Sequence, residues 1–521
     1  MLSIGTSLAT EFRGQPIKEQ PDIGVISMIK NWVADSNQPD GGDKEALLPS
    51  RVIDVESLTS GPDSSVQLID FENGETGTYS ALSYTHEAGV DKQFARPAAI
   101  SGDKATLRIT NLPKVFYDAI LLTRQLGIKY LWIDALCIPE GQFDTFARDS
   151  AAFGSVYSNA YLTLAGTGAD GTSQGLFFPR TNTSYICIRH QTRRGVSGDL
   201  WMHSLALEKE FIGRPPTILE KEPLCKGVWA FQERVLSKRT VHFASDQVYF
   251  ECLKHFRSED GLLMDESFHS TEKVVPNEAE GDGLAPWFGI LWHYTTCELT
   301  DSSDKLSALA NVASAYSQIL EDEYVAGLWK SSLIECLCWQ SVQCKPVNDY
   351  RAPSWSWASV DGLVGVGFNS SSWKPLSTIQ DTKVELEDDS KPFGKVKSAS
   401  ITLEASMVHL SVSDSKGFTG EAMLRVTDKK EDEGFHAGLD TMSKTHSDVE
   451  EALRGMELWA VLLAEVQMVD GIPGGYDVAT YRGIIVTPVE GGGAMKRIGF
   501  IFSDPEEIGS EYLQKKTVTL V

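Results

Sequence analysis

Residues 130–138 (YLWIDALCI) constrain the fold more than any other part of the sequence. The first four residues of this run are aromatic or branched, which is typical of a strand buried on both faces. The run then places an acid, Asp134, directly after that strand. Open α/β sheets bind their ligands at the carboxyl ends of the strands. The run therefore predicts an acidic side chain at the ligand-binding edge of such a sheet.

The chain around this run alternates between helices and strands. Apolar side chains at helical spacing predict a helix that begins near Asn111 and ends at Gly127, just before the run. A helix over residues 144–158 and a strand over residues 161–165 repeat the alternation after it. Helices are the usual connections between parallel strands. We therefore predict an α/β fold whose sheet is mostly parallel and doubly wound, with a long insertion before residue 226.

Shifts in composition divide the rest of the chain. Polar, glycine-containing and acidic stretches mark lead-ins and linkers, whereas periodic apolar residues mark helices and strands. The predicted segments are a partly ordered lead-in (residues 1–50), an α/β domain (51–262), an acidic linker (263–284), a helical segment (285–345) and a β-rich C-terminal domain (346–521) with an exposed charged loop (427–452).

Charge and composition narrow the function classes. A net charge of -25 repels nucleic acid and anionic membranes, so neither is an expected partner. The sequence has no run of about 18 apolar residues and no signal-peptide pattern at its start, which favours a cytoplasmic protein. The eight cysteines lack CxxC spacing, so we expect reduced thiols and no metal site.

Residues 226–237 (KGVWAFQERVLS) predict a helix with a mixed face that suits the wall of a pocket. The residues that share this face fall at positions i, i+3, i+4 and i+7, and they are Trp229, Gln232, Glu233 and Leu236. A structural interpretation is also open, in which Glu233 forms an ordinary ion pair with a neighbouring cation such as Arg234 or Arg239.

Two glycine-rich motifs do not meet the conditions of the sites that they suggest. Residues 166–171 (GTGADG) fit GxGxxG, but the following residues do not predict the helix that would receive a pyrophosphate. Residues 171–175 (GTSQG) fit GxSxG without the strand and helix of a nucleophile elbow. We predict neither a dinucleotide fingerprint nor a serine hydrolase from them.

Several runs together resemble the fungal heterokaryon-incompatibility (HET) domain family. They are residues 81–84 (ALSY), 131–138 (LWIDALCI), 157–160 (YSNA) and 229–237 (WAFQERVLS), with 304–306 (DKL), 326–329 (AGLW) and 353–357 (PSWSW) further on. The chain departs from the family pattern at residues 85–89 (THEAG), where Trp-Gly is usual, and at residues 139–142 (PEGQ). His86, in the first departure, is interpreted as a polar loop residue rather than a general base.

The resemblance implies a role in non-self recognition and regulated cell death, with this domain as the signalling module. HET domains are in turn similar to TIR domains, whose sheet holds a nicotinamide dinucleotide and whose helix carries a Trp and a Glu four residues apart. Trp229 and Glu233 have that spacing. The resemblance therefore implies NAD as a substrate, with no bound cofactor. Glu233 would stabilise the oxocarbenium-like transition state of ribose–nicotinamide cleavage.

Other residues would bind the ligand under this hypothesis. Trp229 would form a wall, and Ser83, Tyr84 and Asp134 at strand ends would hydrogen-bond the ribose. Arg234 or backbone N–H groups would neutralise the phosphates. Asp134 has an equally good structural interpretation as the cap of the loop that follows it.

The competing hypothesis is a non-catalytic scaffold that acts through self-association and protein partners. Geometry discriminates the two. A common cleft for Glu233 and Asp134 beside Tyr84 would favour the enzyme, and a Glu233 tied to Arg239 would favour the scaffold. Three other tryptophans, Trp132, Trp355 and Trp357, are predicted to be core or domain-interface aromatics.

Overall fold

The chain forms two compact units, residues 1–275 and residues 276–521. The computed structural model describes residues 2–3, 17–21, 23–36, 45–61, 63–71, 74–86, 104–139, 150–180, 185–191, 195, 197–202, 219–261, 263–265, 284–299, 301–365, 370–413, 421–427, 429, 435–441, 453–468 and 478–521. The finer division into five segments remains a prediction.

The first unit combines helices with a large sheet. Its described helices are α1 (Ile23–Ser36), α2 (Lys114–Leu126), α3 (Asp134–Cys137), α4 (Ser150–Asn159) and α5 (Val228–Leu236). Its described strands are β1 (Leu2–Ser3), β2 (Ala46–Leu47), β3 (Arg51–Asp54), β4 (Ser65–Asp70), β5 (Thr76–Gly77), β6 (Tyr79–Ser83), β7 (Lys104–Arg108), β8 (Tyr130–Trp132), β9 (Leu162–Ala165), β10 (Ile186–Gln191), β11 (Ser197–Met202), β12 (Arg239–Phe243), β13 (Val248–Cys252), β14 (His255–Ser258) and β15 (Leu263–Asp265).

The central sheet of this unit is mixed. Ten strands follow the order β15-β14-β13-β12-β9-β6-β8-β3-β4-β7. The four in the middle, β12, β9, β6 and β8, pair in parallel, and the strands on both sides pair antiparallel. The predicted α/β class is confirmed, but the prediction of a mostly parallel sheet is wrong. Antiparallel strands widen the parallel centre on each side.

The order of the parallel strands identifies one place in the sheet. Along the chain they occur as β6, β8, β9 and β12, and across the sheet this is the order 2-1-3-4. The chain moves from β6 to β8 through α2, then returns past β6 to β9 through α4. Right-handed connections place α2 on one face and α4 with α5 on the other; accordingly, α4 packs against α5. The direction reverses beside β6, so the switch point lies between β6 and β9.

Local sequence explains the elements around this point. The α2 helix starts after Pro113 and ends at Gly127, whose left-handed φ of 80° lets its N–H cap the last carbonyls. This confirms the predicted end of the helix. The β9 strand confirms the predicted strand at residues 161–165. Of the predicted helix at residues 144–158, the described part is α4, and residues 144–149 lie outside the described residues.

The core of the first unit contains the aromatic run that ends at Asp134. Trp132 is fully buried and meets Tyr157 and Phe153 edge-on, with ring centroids 5.8 and 6.3 Å apart. Its predicted core role is confirmed. Residues 166–178, which contain the GxGxxG match, form turns and no helix. The failure of that fingerprint is therefore confirmed as well.

The second unit is rich in strands. Its described helices are α6 (Leu284–Thr296), α7 (Ala310–Leu320), α8 (Leu333–Cys336) and α9 (Pro505–Ile508). Its described strands are β16 (Tyr324–Val325), β17 (Leu328–Trp329), β18 (Gln340–Pro346), β19 (Val360–Gly365), β20 (Ser370–Pro375), β21 (Ser377–Leu386), β22 (Val396–Val412), β23 (Glu421–Val426), β24 (Phe435–Leu439), β25 (Leu458–Met468), β26 (Val478–Pro488), β27 (Ala494–Ser503) and β28 (Gln514–Leu520).

A nine-stranded sheet dominates this unit and closes on itself where β22 pairs with β25. The predicted β-rich C-terminal region is confirmed. The strand β24 lies inside residues 427–452, which the sequence predicts to be an exposed charged loop. Its two buried apolar residues, Phe435 and Ala437, lie in a stretch that is otherwise rich in charged residues. An argument from the composition of the stretch therefore did not predict the strand. Trp355 and Trp357 are fully buried, as predicted.

Two further features concern the whole described chain. All eight cysteines lie within the described residues as free thiols, five of them buried. No helix among the described residues is both long and apolar enough to span a membrane.

Candidate functional site

The candidate site lies at the carboxyl edge of the parallel strands, beside the switch point. Ser83 ends β6 and Tyr84 follows it, while Asp134 comes two residues after the end of β8. The helices α4 and α5 contribute Tyr157 and Glu233 from one face of the sheet. Residues up to 150 positions apart, Ser83 and Glu233, therefore converge because the strand order places β6 at the centre.

Asp134 is the best-held acid of this group. It is only 4% exposed, and its Oδ1 accepts hydrogen bonds from the Tyr84 hydroxyl at 2.8 Å and from the Ala135 N–H at 2.6 Å. Its Oδ2 lies 3.1 Å from Nε2 of His86. The Ala135 contact is of the capping kind, and the other two contacts are with side chains of the site. The Ala135 contact agrees with the structural interpretation of Asp134, and its predicted contact with a ligand stays a prediction.

These contacts keep Asp134 ionised. Burial alone would raise the pKa of its carboxyl group, because burial disfavours a charge. The positive charge of His86 and the hydrogen bonds from His86, Tyr84 and Ala135 outweigh burial and hold the pKa below its ordinary value. Asp134 is therefore a carboxylate at neutral pH, and it orients the imidazole of His86.

The pKa of Glu233 shifts in the opposite direction to that of Asp134. Its side chain is buried, and the hydroxyls of Ser83 and Tyr157 lie within hydrogen-bonding reach of its carboxyl group. Burial raises the pKa of Glu233 to about 8. The two hydroxyls and the charge of His86 oppose this rise, while the charge of Asp134 adds to it. In the unliganded protein Glu233 is therefore mostly protonated at pH 7, whereas the sequence argument assumed a carboxylate.

Tyr157 links this acid to the sheet. Its hydroxyl donates to the carbonyl oxygen of Leu82 at 3.2 Å and also reaches Glu233. Burial raises the pKa of Tyr157 well above its ordinary value, so the phenol stays neutral. The hydroxyl therefore acts as a positioning group for Glu233 and does not exchange protons with it at neutral pH.

Together these side chains form a carboxyl pair with separated protonation states. One acid is ionised and the other is neutral, and pairs whose environments drive their pKa values apart are typical of acid–base and transition-state-stabilising sites. The acids are buried, whereas the side chain of His86 is 48% exposed. The imidazole therefore joins the buried pair to solvent.

Two further predicted site residues, Trp229 and Arg234, make contacts of a structural kind. Trp229 is half-buried and packs edge-on against Phe153, with ring centroids 5.9 Å apart. Arg234 makes two hydrogen bonds of 3.0 Å to the fully buried Glu251, whose carboxylate also contacts His242 at 3.1 Å. Arg234 thus belongs to a structural charge network on the other side of α5, and the predicted phosphate contact stays a prediction.

The sequence argument separated two arrangements of Glu233, and the contacts of Arg239 bear on one of them. Arg239 donates from its Nε to Ser36 Oγ at 2.9 Å and lies over the ring of Tyr161. The polar side chains that influence the pKa of Glu233 through hydrogen bonding are the hydroxyls of Ser83 and Tyr157. The common cleft for Glu233 and Asp134 stays a prediction.

Two members of the site were missed from the sequence. His86 was interpreted as a loop residue, although it stands two positions after Tyr84, where an extended chain brings it to the same edge. Tyr157 was noted only as part of a resembling run. Its position near the end of α4 carried no separate signal. Most of the departures from the family pattern, residues 87–89 and 140–142, lie outside the described residues.

The site has no sign of a metal centre. Among the residues that the structure describes, no group of three or more His, Cys, Asp or Glu side chains is placed to hold a metal ion. The described side chains of the site offer a neutral acid, an ionised acid, an imidazole and the hydroxyls of Ser83, Tyr84 and Tyr157.

Comparison with known families gives one result for this region. Residues 79–233 match the family model described as heterokaryon incompatibility protein (HET). The match begins at the first residue of β6 and ends at Glu233, so it spans all the residues of the site. Searches against curated proteins and against solved structures give no significant match.

Proposed function

The chain carries a heterokaryon incompatibility domain at residues 79–233, and from this premise we propose that the domain cleaves NAD between ribose and nicotinamide. The observation that supports this best is the carboxyl pair at the switch point, with Glu233 largely neutral and Asp134 ionised. Sheets of strand order 2-1-3-4 keep nucleotide ligands at this place. The likeness to TIR domains is part of the same proposal, and the strand order supports it.

The reaction breaks the bond between ribose C1′ and the nicotinamide nitrogen, and the electron pair leaves with nicotinamide. Water supplies the oxygen of the new C1′–O bond. NAD and water thus give ADP-ribose, nicotinamide and one proton. The transition state resembles an oxocarbenium ion, which a nearby carboxylate stabilises. The released proton leaves through the Asp134–His86 pair, whose imidazole is half exposed.

The raised pKa of Glu233 fits this role. Burial disfavours the charged form of Glu233 by more than the charge of His86 and the two hydroxyls favour it, so burial keeps Glu233 protonated. The nicotinamide ring of NAD carries a positive charge that would lower the pKa of Glu233 on binding. Glu233 therefore ionises when the positively charged nicotinamide ring binds. The attraction between the carboxylate and the substrate then becomes stronger in the transition state, as positive charge develops on the ribose.

We propose that this activity serves cell-death signalling in non-self recognition. Its place would be the cytoplasm, where NAD is abundant, and activation would come through self-association or a protein partner. The net charge of -25 supports the expectation that nucleic acids and anionic membranes are not partners. The free thiols of all eight cysteines are consistent with a reducing compartment.

NAD turnover by the purified full chain tests the proposal. We expect turnover by the wild type and a loss of about 10²- to 10³-fold in the Glu233→Gln variant, the magnitude typical of removing one transition-state contact. A matched control is Glu222→Gln. Glu222 is also a buried glutamate with a raised pKa, but it hydrogen-bonds Ser245 away from the site. The control variant should keep wild-type turnover.

The outcomes separate the two hypotheses. Equal turnover by wild type and Glu233→Gln would refute the role of Glu233. No turnover by folded wild type, tested at high concentration so that self-association is favoured, would reject the enzyme and favour the non-catalytic scaffold.

A further inference from the structure

Gln232 presents an unmet hydrogen-bonding requirement next to the carboxyl pair. It is fully buried, and neither its amide nitrogen nor its amide oxygen has a hydrogen-bond partner among the residues that the structure describes. Native proteins rarely leave both ends of a buried amide unpaired, because an unmade hydrogen bond destabilises the fold. Gln232 precedes Glu233 on α5 and lies in the middle of the buried face of that helix. The unpaired amide therefore marks a place where a polar partner is missing.

A second unpaired group lies on the sheet side of the same site. The hydroxyl of Thr85 is buried and has no hydrogen-bond partner within the described part of the chain. Thr85 lies one strand period beyond Ser83, whose hydroxyl reaches Glu233. Unpaired polar atoms thus occur both on the helix and on the sheet edge that enclose Glu233. Buried unpaired groups also occur elsewhere in the described chain, and what sets these two apart is that one adjoins Glu233 on α5 and the other follows Tyr84 on the sheet edge.

The chemistry of an amide defines the missing partner. A glutamine side chain offers two N–H donors beside one oxygen acceptor. A primary carboxamide offers the same groups and pairs with it through two hydrogen bonds. Resting on the function proposed above, we infer that Gln232 determines specificity by binding the carboxamide of nicotinamide. Its N–H donates to the carboxamide oxygen, and its own oxygen accepts from the carboxamide NH₂.

This pairing discriminates against the acid analogue. Nicotinic acid carries a carboxylate, which offers no donor to the Gln232 oxygen and adds a negative charge near the ionised Asp134. A site built to hydrogen-bond a substrate group rejects analogues that lack it, because its own buried polar atoms then stay unpaired. NAD should therefore be preferred over nicotinic acid adenine dinucleotide by at least about 100-fold in kcat/KM.

The test compares both dinucleotides in wild type and in Gln232→Met, which keeps side-chain length and removes the amide. We expect the preference to fall below about tenfold, mainly through slower NAD cleavage. The matched control is Gln247→Met. Gln247 is also buried, but its amide is used: it donates to the Tyr249 hydroxyl at 3.2 Å and accepts from the Asp260 N–H at 2.9 Å. The control should keep the preference.

Thermal unfolding gives a readout that does not depend on turnover. Removing the unpaired amide should raise the Tm of Gln232→Met by about 2–4 °C. In the wild type, water hydrogen-bonds this amide in the unfolded chain, whereas the folded chain leaves it without a hydrogen bond, and this difference destabilises the fold. The same substitution at Gln247 should lower the Tm, because it leaves the Tyr249 and Asp260 groups unpaired. A lower Tm in Gln232→Met would show that the amide has a structural partner and would overturn the inference.

The inference and the proposed function fail in different ways. An unchanged preference in folded Gln232→Met would overturn the inference and leave NAD cleavage standing. If wild type cleaves neither dinucleotide, nicotinamide and nicotinic acid become the probes, with binding measured by NMR titration. Binding of nicotinamide alone, lost in Gln232→Met and kept in Gln247→Met, would support the inference without catalysis. Equal binding of the two compounds by wild type would overturn it even if neither variant folds.

Discussion

The Glu233→Gln substitution should change how the stability of the first unit depends on pH. Burial raises the pKa of Glu233 to about 8 in the folded state, and an unfolded chain returns it to about 4.5. Between these values the folded state holds a proton that the unfolded state has released. The contribution of Glu233 is therefore fully present below about pH 4.5 and disappears as the pH rises through about 8.

The magnitude follows from proton linkage. Well inside this window the free energy of unfolding falls by about 1.4 kcal/mol for each pH unit. From pH 5.5 to pH 7.5 the Glu233 contribution falls by about 2.5 kcal/mol, slightly less than two full units because Glu233 begins to ionise near the upper limit. Glutamine imitates the protonated acid and does not titrate. The wild type should therefore lose about 2.5 kcal/mol relative to Glu233→Gln over this range.

Urea unfolding at several pH values measures this difference. Pulsed hydrogen exchange on peptides from α2 reports the first unit alone, which avoids a mixed signal from the two units. Other titrating groups contribute equally to both proteins, so they cancel in the comparison. Glu56→Gln is the matched control, because Glu56 lies in the same unit with an exposed side chain. Its curve should run parallel to that of the wild type.

Parallel pH curves for wild type and Glu233→Gln would refute the reasoning. They would mean that Glu233 is ionised in the folded protein, through a cation or water that compensates its burial. A difference that grows with rising pH in favour of the wild type would also refute it, since that sign belongs to an acid with a lowered pKa.

Further predictions concern activity and packing. The kcat/KM for NAD should rise about tenfold per pH unit below pH 8 and level off above it, since the free enzyme must ionise Glu233; a pH–rate profile checks this. Trp132→Ala should destabilise the first unit by about 3–5 kcal/mol in urea unfolding, because it removes a fully buried indole from the core. Arg234→Met should cost about 3–5 kcal/mol in the same assay, because Glu251 is fully buried and loses a bidentate cation. A smaller loss than that in Asp246→Asn, a control outside this network, would contradict the last prediction.

Local sequence signals predicted the elements next to the switch point. Pro113 and Gly127 bracket α2 because each residue has a backbone preference that suits a helix end. The aromatic and branched residues before Asp134 gave the strand β8. Such signals act over a few residues, so they indicate that a helix or strand exists and roughly where it ends.

The neighbours of a strand depend on the whole chain. The strands β3, β4 and β7 add to the sheet beside β8 in antiparallel register. A short connection joins β3 to β4, but residues 71–103 separate β4 from β7, and nothing in the sequence of these strands identifies β8 as a partner. The prediction of a mostly parallel sheet therefore failed at its edges, while the parallel centre with its connecting helices agreed with it.

The site shows the same division between residue type and environment. Sequence alone selected Asp134 and Glu233 as the acids, but it assigned both a negative charge. Three donors surround Asp134, from Tyr84, His86 and the Ala135 backbone, and one of them is a cation. Glu233 meets two hydroxyls instead. Because the two acids are chemically similar, their opposite protonation states must come from their environments. The strand order brings His86 to Asp134, whereas Glu233 is buried on α5 where that helix packs against α4.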